Sequence, residues 1–390
     1  MTNRRKFLQL SGVLSAGILT GLSAACTSPK LSQKYIDRNL IASNKFKRYP
    51  KLDISLDRIV KETVGLRPFR KQGFRVEKQM LGSKTIIHNY GHGGSGWSLS
   101  WGTAKLATDL AQTTGETSFA IMGSGVVGIT TARTLQDHGF QATIYTKALP
   151  PLVTSSKATG TWSPASRLLE SQYLTPEFEE RWQKAAMYSF RTYQNFLGFN
   201  NIVTWIDNYV VREEFNPEPE PLDSGGARYA RLRIPGLLPE RRILEHKEHP
   251  FHVDKVLKQT TLVFNIPSYL NKHLSDFLAF GGKVVIKEFK SLEDVDALQE
   301  KCIVNCTGLG SMTLFDDKDM MPIAGQLSFL IPQPDFNYRI STENGYAIPR
   351  KDGIILGGNA LEGSWDENPD RAQTEKVVQA LVDVMNRLRV

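Results

Sequence analysis

The apolar positions between residues 117 and 145 change period twice. In TSFAIMGSGVVGITTARTLQDHGFQATIY, Ser118 to Met122 is a short apolar run and Gly123, Gly125 and Gly128 follow it. A helical run then reaches His138, and Gln141 to Tyr145 alternates. The pattern predicts strand, tight glycine turn, helix and second strand. Upstream, Leu52 to Val64 is mixed, Phe74 to Met80 alternates, and Thr85 to Asn89 reads as a short strand. The glycine-rich GHGGSG precedes a helix predicted over Ser100 to Leu110, and Gln112 to Glu116 is a brief turn.

Downstream, ALPPLVTSSKATGTWSP is a loop, and a helix is expected from Pro176 to about Leu197. Its Tyr188, Phe190, Tyr193 and Phe196 fall at helical spacing and read as core packing. Residues 201–264 read as strands broken by Pro-rich turns, and Ser268 to Phe280 as an amphipathic helix ending in Gly281-Gly282. Strands are expected over Lys283 to Lys287, over Cys302 to Cys306 closing in Thr307-Gly308, and over Gln326 to Ile331. Tyr346 to Pro349 and Gly353 to Leu356 form a predicted hairpin, and Arg371 to Leu388 a helix. This is an α/β framework with a strand-rich insertion, which predicts a nucleotide domain plus an antiparallel substrate domain.

Composition and charge narrow the picture. The 390 residues, 41% hydrophobic, can bury a large core. The net charge of +8 is uneven, since the first 71 residues carry +11 and the remainder −3. No basic patch with interleaved aromatics and no zinc-ligand spacing turns up, so no nucleic-acid binding is expected. The basic segment suits a solvated surface or proximity to anionic lipid. Cys302 and Cys306 share an extended run that holds their sulfurs apart, so no disulfide framework is implied. His246, His249 and His252 could bind a metal, but their polar LEHKEHPFH setting reads better as solvent-exposed histidines, and no metal site is expected.

Met1 to Cys26 reads as a targeting segment. Asn3-Arg4-Arg5-Lys6-Phe7-Leu8 resembles a twin-arginine (Tat) export signal, followed by a moderately apolar run to Ala25. Cys26 after Leu22-Ser23-Ala24-Ala25 resembles a lipoprotein cleavage site with the leucine one place early. An uncleaved amphipathic anchor is the competing reading. The expected location is periplasmic or cell-envelope, with lipid at Cys26 and a membrane surface and the Tat machinery as partners.

The glycine spacing has a direct chemical reading. Gly123 would make the tight turn, Gly125 would admit a pyrophosphate, and Gly128 would let helix pack on strand, although glycine turns also arise for packing alone. Three further stretches add to it: VNCTGLG at 304–310, YAIPRKDGIILGGNALEGSWDENPD at 346–370, and VGLRPFRKQGFRVE with IIHNYGHGGSGWSLSWGTA at 64–104. Together they resemble the D-amino-acid oxidase (DAO) family of FAD-dependent oxidoreductases over most of the chain after residue 50. The order is unusual, because in that family the RPxR and HNYGHGG segments come last. The resemblance therefore implies a circularly permuted fold: an FAD-binding Rossmann-like domain with an antiparallel-sheet substrate domain.

The implied organisation is an export signal at 1–26, a linker at 27–50, and the permuted C-terminal segment of both domains at 51–112. The FAD-binding core follows at 113–200, a substrate-domain part at 201–280, an FAD-domain part at 281–325, and a substrate-domain part with the closing helix at 326–390.

Carried over residue by residue, the resemblance implies an FAD pyrophosphate cradle of Gly123, Gly125, Val126, Val127 and Gly128, with Thr154, Ser155 and Ser156 as a hydroxyl-rich loop. Gly160 and Trp162 would lie near the flavin, Gly93, Gly94, Gly96, Trp97 and Ser98 at its pyrimidine end, and Thr307 and Gly308 beside the dinucleotide. Arg67 would clamp a substrate carboxylate and the Gly94 carbonyl would accept from the substrate amine. His88 and His92 read as loop supports, and Arg350 as a surface turn charge.

The implied activity is hydride transfer from an amine-bearing carbon, with an amine or amino-acid substrate and dioxygen as acceptor. A dehydrogenase passing electrons to a quinone or carrier, and a non-catalytic flavin-binding lipoprotein, are the alternatives. Departures from the family pattern are Lys147, where an acidic residue for the adenosine ribose is usual and where NADP-like phosphate binding is the contrary reading, Ala324 where arginine is common, and the lack of the expected active-site tyrosines ahead of the substrate-domain helix.

Overall fold

The computed structural model describes residues 49–217 and 228–389. The segment expected to be an export signal, Cys26 and nearly all of the 27–50 segment lie outside the described residues.

Ahead of the glycine turn, the mixed, the alternating and the short apolar stretches become β1 (Ile59–Arg70), β2 (Arg75–Leu81) and β3 (Lys84–Tyr90). β1 runs on through Arg67 and Pro68, which the mixed sequence pattern did not reveal. It is an edge strand, the position where proline is tolerated. GHGGSG then feeds directly into α1 (Gly96–Gln112), which starts earlier than Ser100 because the glycines carry no apolar period.

The opening pattern forms as expected: β4 (Ser118–Met122), α2 (Val126–Asp137) and β5 (Gln141–Thr146). In α3 (Pro176–Gln194) the Thr175 hydroxyl accepts from Phe178 N, and proline occupies the first turn. Of its aromatics Tyr193 is fully buried, whereas Tyr188 is exposed, so the periodicity overstated the apolar face. Next come β6 (Val203–Val210), β7 (Arg242–Glu245) and β8 (Lys255–Phe264), then α4 (Ile266–Ala279), which Asn265 caps. β9 (Lys283–Ile286), α5 (Leu292–Asp296), β10 (Cys302–Asn305) and α6 (Ser311–Leu314) lead to the long β11 (Met320–Leu330). Finally β12 (Arg339–Ser341), β13 (Tyr346–Arg350), β14 (Gly353–Gly357) and β15 (Leu361–Glu362) precede α7 (Arg371–Asn386).

Two sheets result. One has the order β2-β3-β10-β4-β5-β9, parallel from β3 to β9 with β2 antiparallel at its edge. The other has nine strands in the order β1-β11-β14-β13-β12-β6-β8-β7, with β15 on β11, and is antiparallel except at β12 and β6. The segment ahead of the glycine turn thus contributes to both sheets. The parallel strands all end on one edge, where open α/β sheets bind ligands.

Two expectations change here. Tyr49, expected in a linker, is buried with its ring edge-on to Tyr209, Phe251 and Tyr338, and Tyr338 OH donates to the Pro50 carbonyl at 3.0 Å. His249, expected in solvent, is also buried, because Arg389 holds the His246, His249 and Phe251 carbonyls and folds this stretch under the same aromatic group. Among the described residues no group of His, Cys, Asp or Glu could hold a metal ion. Cys302 and Cys306 are both free.

Candidate active site

A cavity of about 460 Å³ opens where the parallel strands end, in the size range of small-molecule sites. Gly123 makes its floor. Its φ of +107° is a conformation for which glycine is suited, and a Cβ there would stand 2.7 Å from the Cys306 carbonyl oxygen. Its N–H donates to Tyr145 O at 2.8 Å, while Cys306 N donates to Met122 O at 3.0 Å, so the turn is clasped between β5 and β10. A Cβ at Gly128 would overlap the Gly123 carbonyl, which explains the helix-on-strand contact. Gly125, Val126 and Val127 line the cavity at the N-terminus of α2, and Val126 N donates to Ser155 Oγ at 2.9 Å.

The second glycine loop forms the opposite wall, with Gly93, Gly94, Gly96 and Trp97 all lining. Trp97 Nε1 donates to Ser155 O at 3.0 Å, tying this loop to the hydroxyl-rich one, and Gly94 N donates to Ser166 O at 3.0 Å. Thr154, Ser155 and Gly160 line the cavity, as do Thr307 and Gly308. Thr307 Oγ1 donates to Asn305 Oδ1 at 2.7 Å, which fixes the end of β10. Segments far apart in sequence therefore meet in one place.

Four expected residues stand behind the wall. Gly128 acts through packing. Ser98 Oγ accepts from Ser163 N at 2.7 Å and so positions a lining residue. Neither Ser156 nor Trp162 is among the lining residues. Trp162 packs edge-on against Phe190 and Tyr193 in the core, because its backbone N–H is bonded to Leu262 O beside β8.

Arg67 stands at the far end of the cavity, on β1. It lies against Gly325 on β11, where any Cβ would overlap the guanidinium. Nearby, a Cβ at Gly65 would stand 2.9 Å from the Lys157 carbonyl, and Lys157 pairs with Glu367. Glu367 and the exposed Trp365 both line this mouth. Sequence reasoning missed Lys157, Trp365 and Glu367; Trp365 and Glu367 stood in the quoted GSWDENPD run and Lys157 in the TSSKATG loop, with no pattern that marked them.

Arg350 is not a surface charge. Its side chain is 1% exposed, pairs with Asp352, and donates to the Ala158 and Thr159 carbonyls at 2.8 and 3.1 Å. The turn between β13 and β14 folds it back over the loop leading to Gly160. Tyr346 OH lies 2.9 Å from Thr159 Oγ1 on the same loop. Ala324 is buried on β11 beside Val64 and Leu66.

Burial dominates the electrostatics. His92 lines the cavity, bonds Thr103 Oγ1 at 2.9 Å and is pushed down to about 3 by burial. His88 is likewise held near 3 by burial and contacts Gln79 Oε1 at 2.8 Å and Asn305 Nδ2 at 3.2 Å. Both are neutral and hydrogen-bonded, His92 in the glycine loop as expected and His88 within β3, between β2 and β10. Burial also pushes the Cys306 thiol up to about 12, which leaves it unreactive.

The floor suits a dinucleotide: Gly123 and Gly125 line it without side chains, and the α2 N-terminus opens onto it. The chain matches the family described as FAD dependent oxidoreductase, DAO, over residues 20–110 and 118–390. A D-aspartate oxidase of Talaromyces thermophilus is 33% identical over 304 residues, covering 69% of this chain and 78% of that protein. A D-amino acid oxidase of Dugesia ryukyuensis is 26% identical over 276 residues, covering 69% and 78%. Among solved structures, L-proline dehydrogenase from P. horikoshii aligns with a TM-score of 0.49 at 13% identity, covering 70% of this chain and 77% of that one. With the family match spanning both the strands ahead of the glycine turn and all that follows it, this chain belongs to the DAO family of FAD-dependent oxidoreductases, and its cofactor is FAD.

Proposed function

We propose that this enzyme oxidises the C–N bond of a D-amino acid or related amine, giving an imino product that hydrolyses in water, with dioxygen as acceptor. The observation that carries this reading is that Arg67 shares one cavity with the glycine cradle. A guanidinium fork matches a carboxylate, and the Gly325 gap leaves it room. When bound, FAD supplies the hydride acceptor. The chain supplies alignment: Arg67 would hold the carboxylate, the Gly94 carbonyl would accept from the amine, and Trp365 and the Lys157–Glu367 pair would border the mouth. No side-chain base is needed for an amine that arrives neutral, in keeping with the depressed His92.

Anaerobic bleaching of the flavin by a panel of D-amino acids and amines tests this. Bleaching followed by reoxidation in dioxygen is the expected result. Reoxidation only by a quinone analogue would make the enzyme a dehydrogenase, and flavin that no amine or amino acid bleaches would leave a non-catalytic binder.

The same proposal includes circular permutation and export. The family match breaks only between residues 110 and 118, beside the Gln112 to Glu116 turn that would join the family's usual ends. Lys51 Nζ donates to Asn386 Oδ1 at 3.2 Å, so the start of the segment lies beside the end of α7, the condition for permutation. Twin-arginine export and a lipid at Cys26 rest on the leader sequence, and no helix among the described residues is long and apolar enough to cross a membrane. Replacing Arg4 and Arg5 by lysines and following the protein in envelope fractions checks the export reading: retention inside the cell is the expected result, and unchanged export would rule out the twin-arginine route.

A further inference from the structure

We infer that Glu288, at the end of β9, takes over the adenosine-ribose contact that a dinucleotide fold ordinarily places at the end of its second strand, with Lys147 as its positioning partner.

The argument starts from what Lys147 cannot do. An ammonium has three donors and no acceptor, so it cannot receive hydrogen bonds from the two ribose hydroxyls. In dinucleotide folds a carboxylate at this position receives them. Lys147 follows directly on β5 and lines the cavity.

Its neighbour in space comes from the next strand. Thr146 pairs with Ile286 across β5 and β9, and Lys287 N donates to Thr146 O at 2.9 Å, which brings residues 287–289 alongside 146–148. Glu288 lines the same end of the cavity, with its Oε1 3.9 Å from Lys147 Nζ. The cavity has two lining carboxylates among the described residues, Glu288 and Glu367. Glu367 is held by Lys157 at the Arg67 end, so Glu288 is the acceptor available near Lys147. The two side chains are 55% and 75% exposed, free to turn toward a bound nucleotide. A 2′-phosphate would meet this carboxylate as well as the lysine, which argues against the NADP-like alternative.

The test is titration of flavin-stripped full-length protein with FAD and, separately, with FMN, which lacks the adenosine. Flavin fluorescence gives both dissociation constants without any turnover. Glu288→Gln is expected to weaken FAD about tenfold, the loss of charge-assisted hydrogen bonds, while FMN affinity stays unchanged. The exchange Lys147→Glu with Glu288→Lys is expected to recover most of the FAD affinity, since it returns the carboxylate to the neighbouring strand end. Unchanged FAD affinity in Glu288→Gln, or equal weakening of FAD and FMN, would overturn the assignment. The assignment rests on FAD as the cofactor: wild-type protein that takes up no FAD would remove that reading too, whereas normal wild-type uptake with an unaffected variant removes Glu288 alone.

Discussion

At the scale of residues, the site depends on side chains left out as much as on those present. Gly325 admits the Arg67 guanidinium and Gly123 admits the Cys306 carbonyl. Arg67→Ala is expected to raise KM for a carboxylate-bearing substrate roughly 10–100-fold, the range for lost charge-assisted hydrogen bonds, while FAD affinity and the flavin spectrum stay put. Steady-state kinetics beside a flavin titration checks this, and unchanged KM would remove the carboxylate role. Arg350 shows the limit of residue-level reading. In YAIPRKDG it looks like a turn charge, but the fold turns it inward to hold the Ala158 and Thr159 carbonyls. An Arg350→Met variant keeps bulk but leaves those carbonyls unpaired, and should weaken flavin binding as well as stability.

At the scale of elements, close helix packing fixes the second glycine loop. A Cβ at Gly102 on α1 would overlap the Ala185 carbonyl on α3, and Ser189 Oγ accepts from Gly102 N at 2.7 Å. Gly102→Ala should therefore prise the helices apart at a cost of about 1–3 kcal/mol or more. Urea unfolding measures that cost, and a midpoint equal to wild type would show that the contact yields freely. Because Trp97 and Gly96 sit at the start of α1, the same variant is expected to loosen FAD as well.

For the whole molecule, two consequences follow from how the strands are shared. β1 joins one sheet while β2 and β3 join the other, so residues 113–390 alone lack strands in both. A rearranged chain, with residues 49–112 moved by a short flexible linker to follow 390, is expected to fold and bind FAD. Its flavin absorbance and melting curve test the permutation reading, and a rearranged chain that aggregates without binding flavin would count against it. The second consequence concerns pH. His88, His92 and His273 are held near 3 by burial, so they are neutral in the folded chain and gain protons on unfolding once the pH drops below about 6.5. Their contribution to stability is complete above that value and is lost as the pH falls toward 3. The urea midpoint should accordingly decline between pH 7 and pH 5, less steeply in His88→Gln, and a flat profile would contradict the burial of these rings.

The sequence by itself determined the glycine turn, the parallel strands around it and the β13–β14 hairpin. Those features depend on local period and backbone conformation, and short-range pattern encodes both. Only the tertiary structure decided which residues face the cavity. Trp162 and Ser156 turned away, and Arg350, Tyr49 and His249 went inside. Lys157, Glu288, Trp365 and Glu367 arrived from separate segments to line its two ends. The reason is that facing depends on strand register and on contacts between residues far apart in the chain, as where Ile286 lies beside Thr146 and brings Glu288 to Lys147.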